Sequence, residues 1–309
     1  MEKMCRKAKK TILQHEDKES VYVTFQEAQS SSVYIQKPVT FSYSTCARQG
    51  TVRETMEDRH FVHEMDKGIL AAVFDGHAGH EVAEFAKQFV KEEFERQIKK
   101  DPYHIHKVFE HVVYNTNQKV FQNEEWDDTG TVAVICYILK RTGLIFTATI
   151  GDCCANIYRK IDKDIRSIPL SYMYNWASKS EAIRAAYFKN DPKIVEEYVK
   201  NSDMAKWLRP ISGNFSRAIG NKRNRGDKVV PVVIPKPEIT VSTVQPGDTV
   251  VLMCDGIYDV TGEQDIVDVI EGTNESKQFS GSLASRIVHY ALFFKKSDDN
   301  CTAIAISVH

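Results

Sequence analysis

At 309 residues the chain can form one large domain or two average ones, and its 42% hydrophobic and 27% charged residues match a globular protein with a sizeable core, which excludes global disorder. Lys plus Arg, 41, nearly balance Asp plus Glu, 42, for a formal net charge of -1, so the whole chain advertises neither nucleic acid nor an anionic membrane as a partner. No apolar run approaches the roughly 20 residues of a bilayer span, the start Met1-Glu2-Lys3-Met4-Cys5-Arg6-Lys7 lacks an apolar signal core, and seven cysteines without zinc-like spacing fit a reducing compartment. An intracellular, cytoplasmic protein is therefore expected, with the nucleus as the alternative.

Residues 1–38 read as a polar N-terminal extension, with a short helix through Ile12 and Leu13 and the run Ser30-Ser31-Ser32. Its basic cluster Arg6-Lys7-Lys9-Lys10 could touch an anionic partner, but a solvated helix face explains it more simply. From residue 39 to 309, apolar runs of strand length alternate with segments of helical period, which predicts one mixed α and β domain. Between His80 and Lys100, Val82, Phe85, Ala86, Phe89, Phe94 and Ile98 recur at spacings of three, four or five, predicting a helix that lies on a sheet. A second helix follows Pro102, through Val108, Phe109, Val112, Val113, Val120 and Phe121. Residues 132–139 and 144–150 are predicted strands separated only by Lys140-Arg141-Thr142-Gly143, too short for a parallel crossover, so they form an antiparallel hairpin. Residues 165–212 fit this rhythm less well, with helical stretches from Glu181 to Tyr187 and after Pro192, and are expected to be a flap-like insertion. The run from Leu283 to Phe294 predicts a last helix.

One pattern recurs within this framework. Leu70-Ala71-Ala72-Val73-Phe74 runs directly into Asp75-Gly76-His77, Leu144 to Ile150 into Gly151-Asp152, and Val250 to Cys254 into Asp255-Gly256. The reverse occurs at Asp298-Asp299-Asn300, just before the apolar run from Ala303 to Val308. A single acidic residue at a strand end is most often a turn former or a helix cap. Several that converge repel one another and raise their own pKa values unless cations neutralise them, so the combination implies a metal site. Oxygen donors without a Cys or His ligand set favour Mg2+ or Mn2+ over zinc. Two such ions sharing a carboxylate sit roughly 3.5 to 4 Å apart, the arrangement that hydrolyses phosphate esters.

These residues carry a resemblance to the PP2C, or PPM, family of metal-dependent protein serine/threonine phosphatases. Arg53-Glu54-Thr55-Met56-Glu57-Asp58 is similar to the family's Arg-x-x-Met-Glu-Asp, and Val73-Phe74-Asp75-Gly76-His77-Ala78-Gly79 to its Val-Phe-Asp-Gly-His-Gly-Gly. Thr129-Gly130-Thr131-Val132-Ala133, Ile150-Gly151-Asp152 and Phe215-Ser216-Arg217-Ala218-Ile219-Gly220 resemble further motifs in the same order. So do Cys254-Asp255-Gly256-Ile257-Tyr258-Asp259-Val260, against Ser-Asp-Gly-(Leu/Ile)-Trp-Asp-Val, and the closing Asp299-Asn300. The resemblance runs from about residue 40 to 308. It implies an α+β fold, a four-layer α-β-β-α sandwich of two antiparallel sheets flanked by helices, with the metal site in a cleft at one edge.

By position, the resemblance makes Asp75 the bridge between two Mg2+ or Mn2+ ions, with the Gly76 carbonyl and Glu57 on one ion and Asp255 and Asp299 on the other. Asp58 acts mainly through metal-bound water. Arg53 binds the substrate phosphate, a task suited to its bidentate guanidinium, with a salt bridge to Glu54 or Glu57 as the structural alternative. His77 is the expected general acid, since an imidazole of near-neutral pKa can protonate the leaving oxygen. His80 is expected at the helix N-terminus. Asp152 and Asp259 match positions that in some relatives hold a third, weaker ion with Asp255, with hydrogen-bonding support as the equal alternative. Phosphorylated proteins are the implied substrates, and a monomer is favoured.

Departures from the pattern fall outside these ligands. Ala78 stands where glycine is usual, Cys154 where arginine follows the Gly-Asp pair, Asn221 where aspartate follows the Ser-Arg motif, and Tyr172-Met173 near a common Asp-His. They bear on the third-metal site and the flap. The alternative reading is a pseudophosphatase, the same fold kept as a binding or regulatory module, but such a chain should lack some of Arg53, Glu57, Asp75, Asp255 and Asp299, and all five are present.

Overall fold

Strand β3 (Gly68–His77) and strand β4 (Gly130–Leu139) are apolar at nearly every position because both of their faces are covered. Ile69, Ala71 and Val73 of β3 and Val132, Val134, Cys136 and Ile138 of β4 share one apolar layer. The alternate residues Leu70, Ala72, Phe74, Ala133, Ile135 and Tyr137 belong to a second layer under the helices. A period of two thus serves two cores at once, where a sheet with one wet face would alternate apolar with polar. The computed structural model describes residues 38–175, 178, 180, 181, 183, 184, 215–221 and 233–309, all within one compact unit, Gln36–His309.

The remaining strands are β1 (Phe41–Arg48), β2 (Arg59–Met65), β5 (Leu144–Ile150), β6 (Cys154–Ile161), β7 (Asp164–Pro169), the two-residue β8 (Ile219–Gly220), β9 (Glu238–Thr243), β10 (Thr249–Met253) and β11 (Cys301–Val308). One sheet has the order β1-β11-β10-β6-β7 and the other β2-β3-β4-β5-β9, with β8 beside β4. Every pairing between these strands is antiparallel. The β4–β5 hairpin forms as its four-residue connection requires, with Ile138 opposite Ile145. The expected flap at about 165–212 overlaps β7 at its start. Most of its remainder, with the helix expected after Pro192, lies outside the described residues, as does the N-terminal extension up to residue 37.

Helices cover the outer faces. Helix α1 (Glu81–Lys100) lays Val82, Ala83, Ala86, Val90 and Phe94 on the second sheet, with Glu81 and Glu84 in its first turn and Lys99 and Lys100 in its last, the favourable sense for the helix dipole. Helix α2 (Ile105–Phe121) packs beside it, and Phe94, Phe109 and Tyr137 meet at centroid distances of 5.1 and 5.0 Å. Phe85 and Phe89, expected in the buried stripe, lie only half buried at its edge, where Phe85 meets Trp126. On the first sheet lie helix α4 (Glu263–Glu271) and helix α5 (Leu283–His289); the short helix α3 (Asp255–Tyr258) follows β10. The single helix expected from Leu283 to Phe294 divides into α5 and one π-helical turn, Tyr290–Phe294, which leaves Phe293 largely exposed.

Asp248 fixes the turn between β9 and β10. It is 1% exposed and takes two hydrogen bonds from Arg159 of β6, at 2.9 and 2.7 Å, and a third from the Gln245 N–H. Removing Asp248 leaves the part-buried Arg159 guanidinium without its counter-charge and the Gln245 N–H without its acceptor. Asp248→Ala should therefore lower unfolding stability by on the order of 3 kcal/mol in denaturant titration. The exposed neighbour Lys160→Ala should stay within about 0.5 kcal/mol of the parent.

Candidate active site

The acidic residues converge because four connections end at the same edge of the two sheets. Asp75 shares the parity of Ile69, Ala71 and Val73, so its side chain faces the layer between the sheets, where Val132 is its register partner. β3 continues through Asp75 to His77, beyond the strand end that the apolar run marks. Asp152 lies in the β5–β6 connection, Asp255 opens α3 directly after β10, Asp299 precedes β11, and Arg53, Glu57 and Asp58 come from the long β1–β2 connection.

Burial and mutual repulsion set the electrostatics. Asp58 is 3% exposed, and neither carboxylate oxygen has a hydrogen-bond partner. Desolvation and the charges of Asp255 and Asp299 push it up to about 7, although the nearby Thr302 hydroxyl and Cys254 thiol restrain the rise. Desolvation raises Asp75 well above the carboxylate range, reinforced by Asp255 and Asp58. It also raises Asp255, and it pushes Asp152, beside Asp255 and Asp259, up to about 7. Asp259 rises for the same reasons, desolvation first and then the Asp255 and Asp299 charges. Among the described residues, the fixed cation paired with the cluster is Arg53, whose Nη2 donates to Asp299 Oδ2 at 2.5 Å. That partner is neither Glu54 nor Glu57, the alternatives open from sequence.

Backbone contacts hold these groups close. A Cβ on Gly76 would meet the Glu57 carbonyl at 2.6 Å, so glycine lets the β1–β2 connection lie against β3. The Gly79 N–H donates to Glu57 Oε1 at 2.7 Å, which aims that carboxylate into the cleft. Reaching it takes the chain through Ala78 at φ 56, a left-handed conformation that costs a residue with a Cβ about 1 to 2 kcal/mol. Asn300 ties the edge together: its Oδ1 accepts from the Gly50 N–H at 3.2 Å and its Nδ2 donates to the Thr55 carbonyl at 3.0 Å.

His77 lands in the cleft, but not as the sequence predicts. Its ring stacks on Phe215 at 4.2 Å, and Nε2 donates to Asn221 Oδ1 at 2.9 Å. Desolvation lowers its pKa to about 4, so the ring is neutral at physiological pH, where a general acid of near-neutral pKa was expected. Asn221, itself at φ 58, supplies a neutral acceptor where an aspartate would supply charge. Gly130 keeps this contact open, since a Cβ there would fall 2.1 Å from Asn221 Oδ1 and 2.5 Å from His77 Nε2. His80 takes the N-cap position of α1, one residue outside the helix.

Beside the cleft is a network that sequence reading missed. The Arg217 guanidinium lies 3.7 Å over the Tyr174 ring and donates to the buried Glu181 at 2.7 Å and to the Lys236 carbonyl at 3.2 Å. The motif holding Arg217 was visible, but its partners come from segments with no recognisable spacing.

The donor set fits divalent cations. Carboxylates with raised proton affinity, two orphaned oxygens on Asp58 and a glycine at the closest backbone approach suit hard ions with oxygen ligands. Cys154, buried where arginine would stand, gives Asp152 and Asp259 no compensating charge.

A family model described as Protein phosphatase 2C matches residues 41–300. A rice protein kinase and PP2C-like domain-containing protein is 26% identical over 283 residues, which cover 86% of this chain and 38% of that relative, so the chain spans well under half of its length. The serine-threonine phosphatase 2C of Toxoplasma gondii superposes with a TM-score of 0.68 at 17% identity, covering 89% of this chain and 98% of that one. The catalytic domain of the phosphatase PstP, solved in complex with two manganese ions, gives a TM-score of 0.55 at 19% identity, over 87% of this chain and 99% of that one. Both likenesses are of fold.

Two measurements test the electrostatics. Carboxylates with raised pKa values bind protons more tightly folded than unfolded, so their contribution to stability is complete below a carboxylate's ordinary pKa and is lost as pH rises through about 7. Metal-free protein should therefore melt several degrees lower at about pH 8 than at about pH 5, and Mn2+ should restore most of the difference. In Asn221→Asp, NMR titration of the His77 ring should move from about 4 toward neutrality, since an adjacent carboxylate favours the charged imidazole.

Proposed function

We propose, because this chain belongs to the protein phosphatase 2C family, that it hydrolyses phosphoserine and phosphothreonine in proteins with two Mg2+ or Mn2+ ions in the carboxylate cleft. The observation that carries this reading is Asp58, Asp75, Asp255 and Asp299 gathered at one sheet edge with Arg53 as their paired cation. Asp75 would bridge the ions, with Glu57 and the Gly76 carbonyl on one side and Asp255 and Asp299 on the other. Asp152 and Asp259 would take a third, weaker ion or support the site by hydrogen bonding. When bound, the ions would polarise the phosphoryl oxygens and lower the pKa of bound water.

The chain's own residues do the rest. Arg53, about half exposed at the mouth of the cleft, has guanidinium donors beyond the one on Asp299 with which to orient a phosphate for in-line attack. Asp58, with no hydrogen-bond donor of its own, can hold water and accept its proton. His77 lies on the β3 edge of the cleft and, being neutral, can offer the leaving oxygen a hydrogen bond once released from Asn221.

The same His77 contact favours the second reading, a PP2C-fold pseudophosphatase that binds phosphoproteins without turning them over. Purified protein assayed on a phosphothreonine peptide with and without Mn2+ separates the two. Metal-stimulated phosphate release is expected, falling on the order of 100-fold or more in Asp75→Asn. Arg53→Lys should lower kcat/KM about 10- to 100-fold, the worth of one or two charge-assisted hydrogen bonds. Release that does not respond to metal, or equal release from Asp75→Asn, would overturn the phosphatase reading.

A further inference from the structure

A thiol lies in the floor of the carboxylate cleft. Cys254, between the last residue of β10 and Asp255, is fully buried; its Sγ receives the Thr302 N–H at 3.1 Å, and its S–H reaches the Asn300 carbonyl at 3.4 Å. The Cys254 sulfur, one Asp58 oxygen and one Asp75 oxygen all lie within 4.8 Å of one another. Two further features mark this as a place built around something. Both Asp58 oxygens are buried without a partner of hydrogen-bonding geometry, and so is the hydroxyl of Thr302, which lies near Asp58 and whose N–H meets the thiol.

Sulfur with two carboxylates is a different ligand set from oxygen alone. A thiolate selects borderline and soft cations, Zn2+ and its heavier congener Cd2+, over Mg2+ and Mn2+, and such ions accept three protein ligands and a water in tetrahedral geometry. The spacing is somewhat wider than ligand atoms around a small ion, so modest side-chain closure would complete the set. The Thr302 N–H would stay in place as a donor to the sulfur, against the burial and the Asp58, Asp75 and Asp255 charges that hold the free thiol protonated until a cation arrives.

We propose that Cys254, Asp58 and Asp75 form a site for a thiophilic divalent cation, which overlaps the Mg2+ or Mn2+ centre through Asp75 and excludes that centre's metal when filled. On binding, the cation forms bonds to Sγ and to the two carboxylates, and the protons that the thiol and the carboxylates carry leave to solvent. Three anionic ligands then meet a dication in place of bare mutual repulsion. The resulting species has an occupied floor and lacks its bridging carboxylate for the hard ions, so Zn2+ acts as an antagonist of Mn2+.

The site is tested by direct binding, which needs no phosphatase activity, so its failure is distinguishable from failure of the reading above. Full-length reduced protein is titrated with Cd2+ while its thiolate-to-metal charge-transfer absorption and proton release are recorded. The expected result is a saturable band accompanied by proton release, the band lost in Cys254→Ser and retained in Cys153→Ser, whose thiol is buried nearby. Mn2+ should shift the Cd2+ titration to higher concentration. Cadmium NMR on the parent protein supplies a measurement independent of variant folding, with a shift diagnostic of one sulfur among oxygen ligands. No band at saturating Cd2+, a band unchanged in Cys254→Ser, an all-oxygen shift, or Cd2+ binding indifferent to Mn2+ would overturn the proposal.

Discussion

Like charges held close together in a dry cleft are the condition to which the rest of this molecule answers. Asp58, Asp75, Asp152 and Asp255 are each pushed upward by burial and by one another, and Arg53 alone is paired against them among the described residues. Left to itself such a cluster would open or take up protons. It stays closed because the strands that deliver it are buried on both faces, so moving one carboxylate away would mean pulling apart two apolar layers. Rigidity bought from the core keeps the site ready for cations.

That rigidity is conveyed by small residues and amides. Gly76 and Gly50 permit backbones to touch where any Cβ would collide, and Asn300 joins the β1–β2 connection to the approach to β11. The side chains expected to carry chemistry are therefore positioned by groups with none of their own. Ala78 shows the opposite tendency: a left-handed backbone is retained although the residue gains nothing from it, because the Gly79 N–H must reach Glu57.

Much of this was legible in the sequence. Local signals sufficed for the β4–β5 hairpin, whose short connection leaves one geometry, and for α1 and α2, whose apolar spacing and terminal charges agree. Asp75, Asp152, Asp255 and Asp299 were legible as candidate ligands because each follows or precedes an apolar run, whereas Glu57 and Asp58 came only with the order of the motifs. What stayed hidden depends on contacts between distant segments: Asn221 against His77, Glu181 against Arg217, and the thiol of Cys254 beneath Asp58. The charge state of His77 could not be read from its neighbours in sequence, since it depends on Phe215 and Asn221, far along the chain.

The pairing of β1 with β11, from Phe41 opposite Val308 to Arg48 opposite Cys301, has a consequence for assembly during synthesis. Strands β2 to β5 follow one another as a meander and can pair as they leave the ribosome, whereas β1 is made early and must wait for residues 301–308. Asp75 emerges with the first group; Asp255 and Asp299 come with the last. The order of synthesis thus withholds Asp255 and Asp299 from Asp58, Asp75 and Asp152 until most of the apolar surface that confines them has been made.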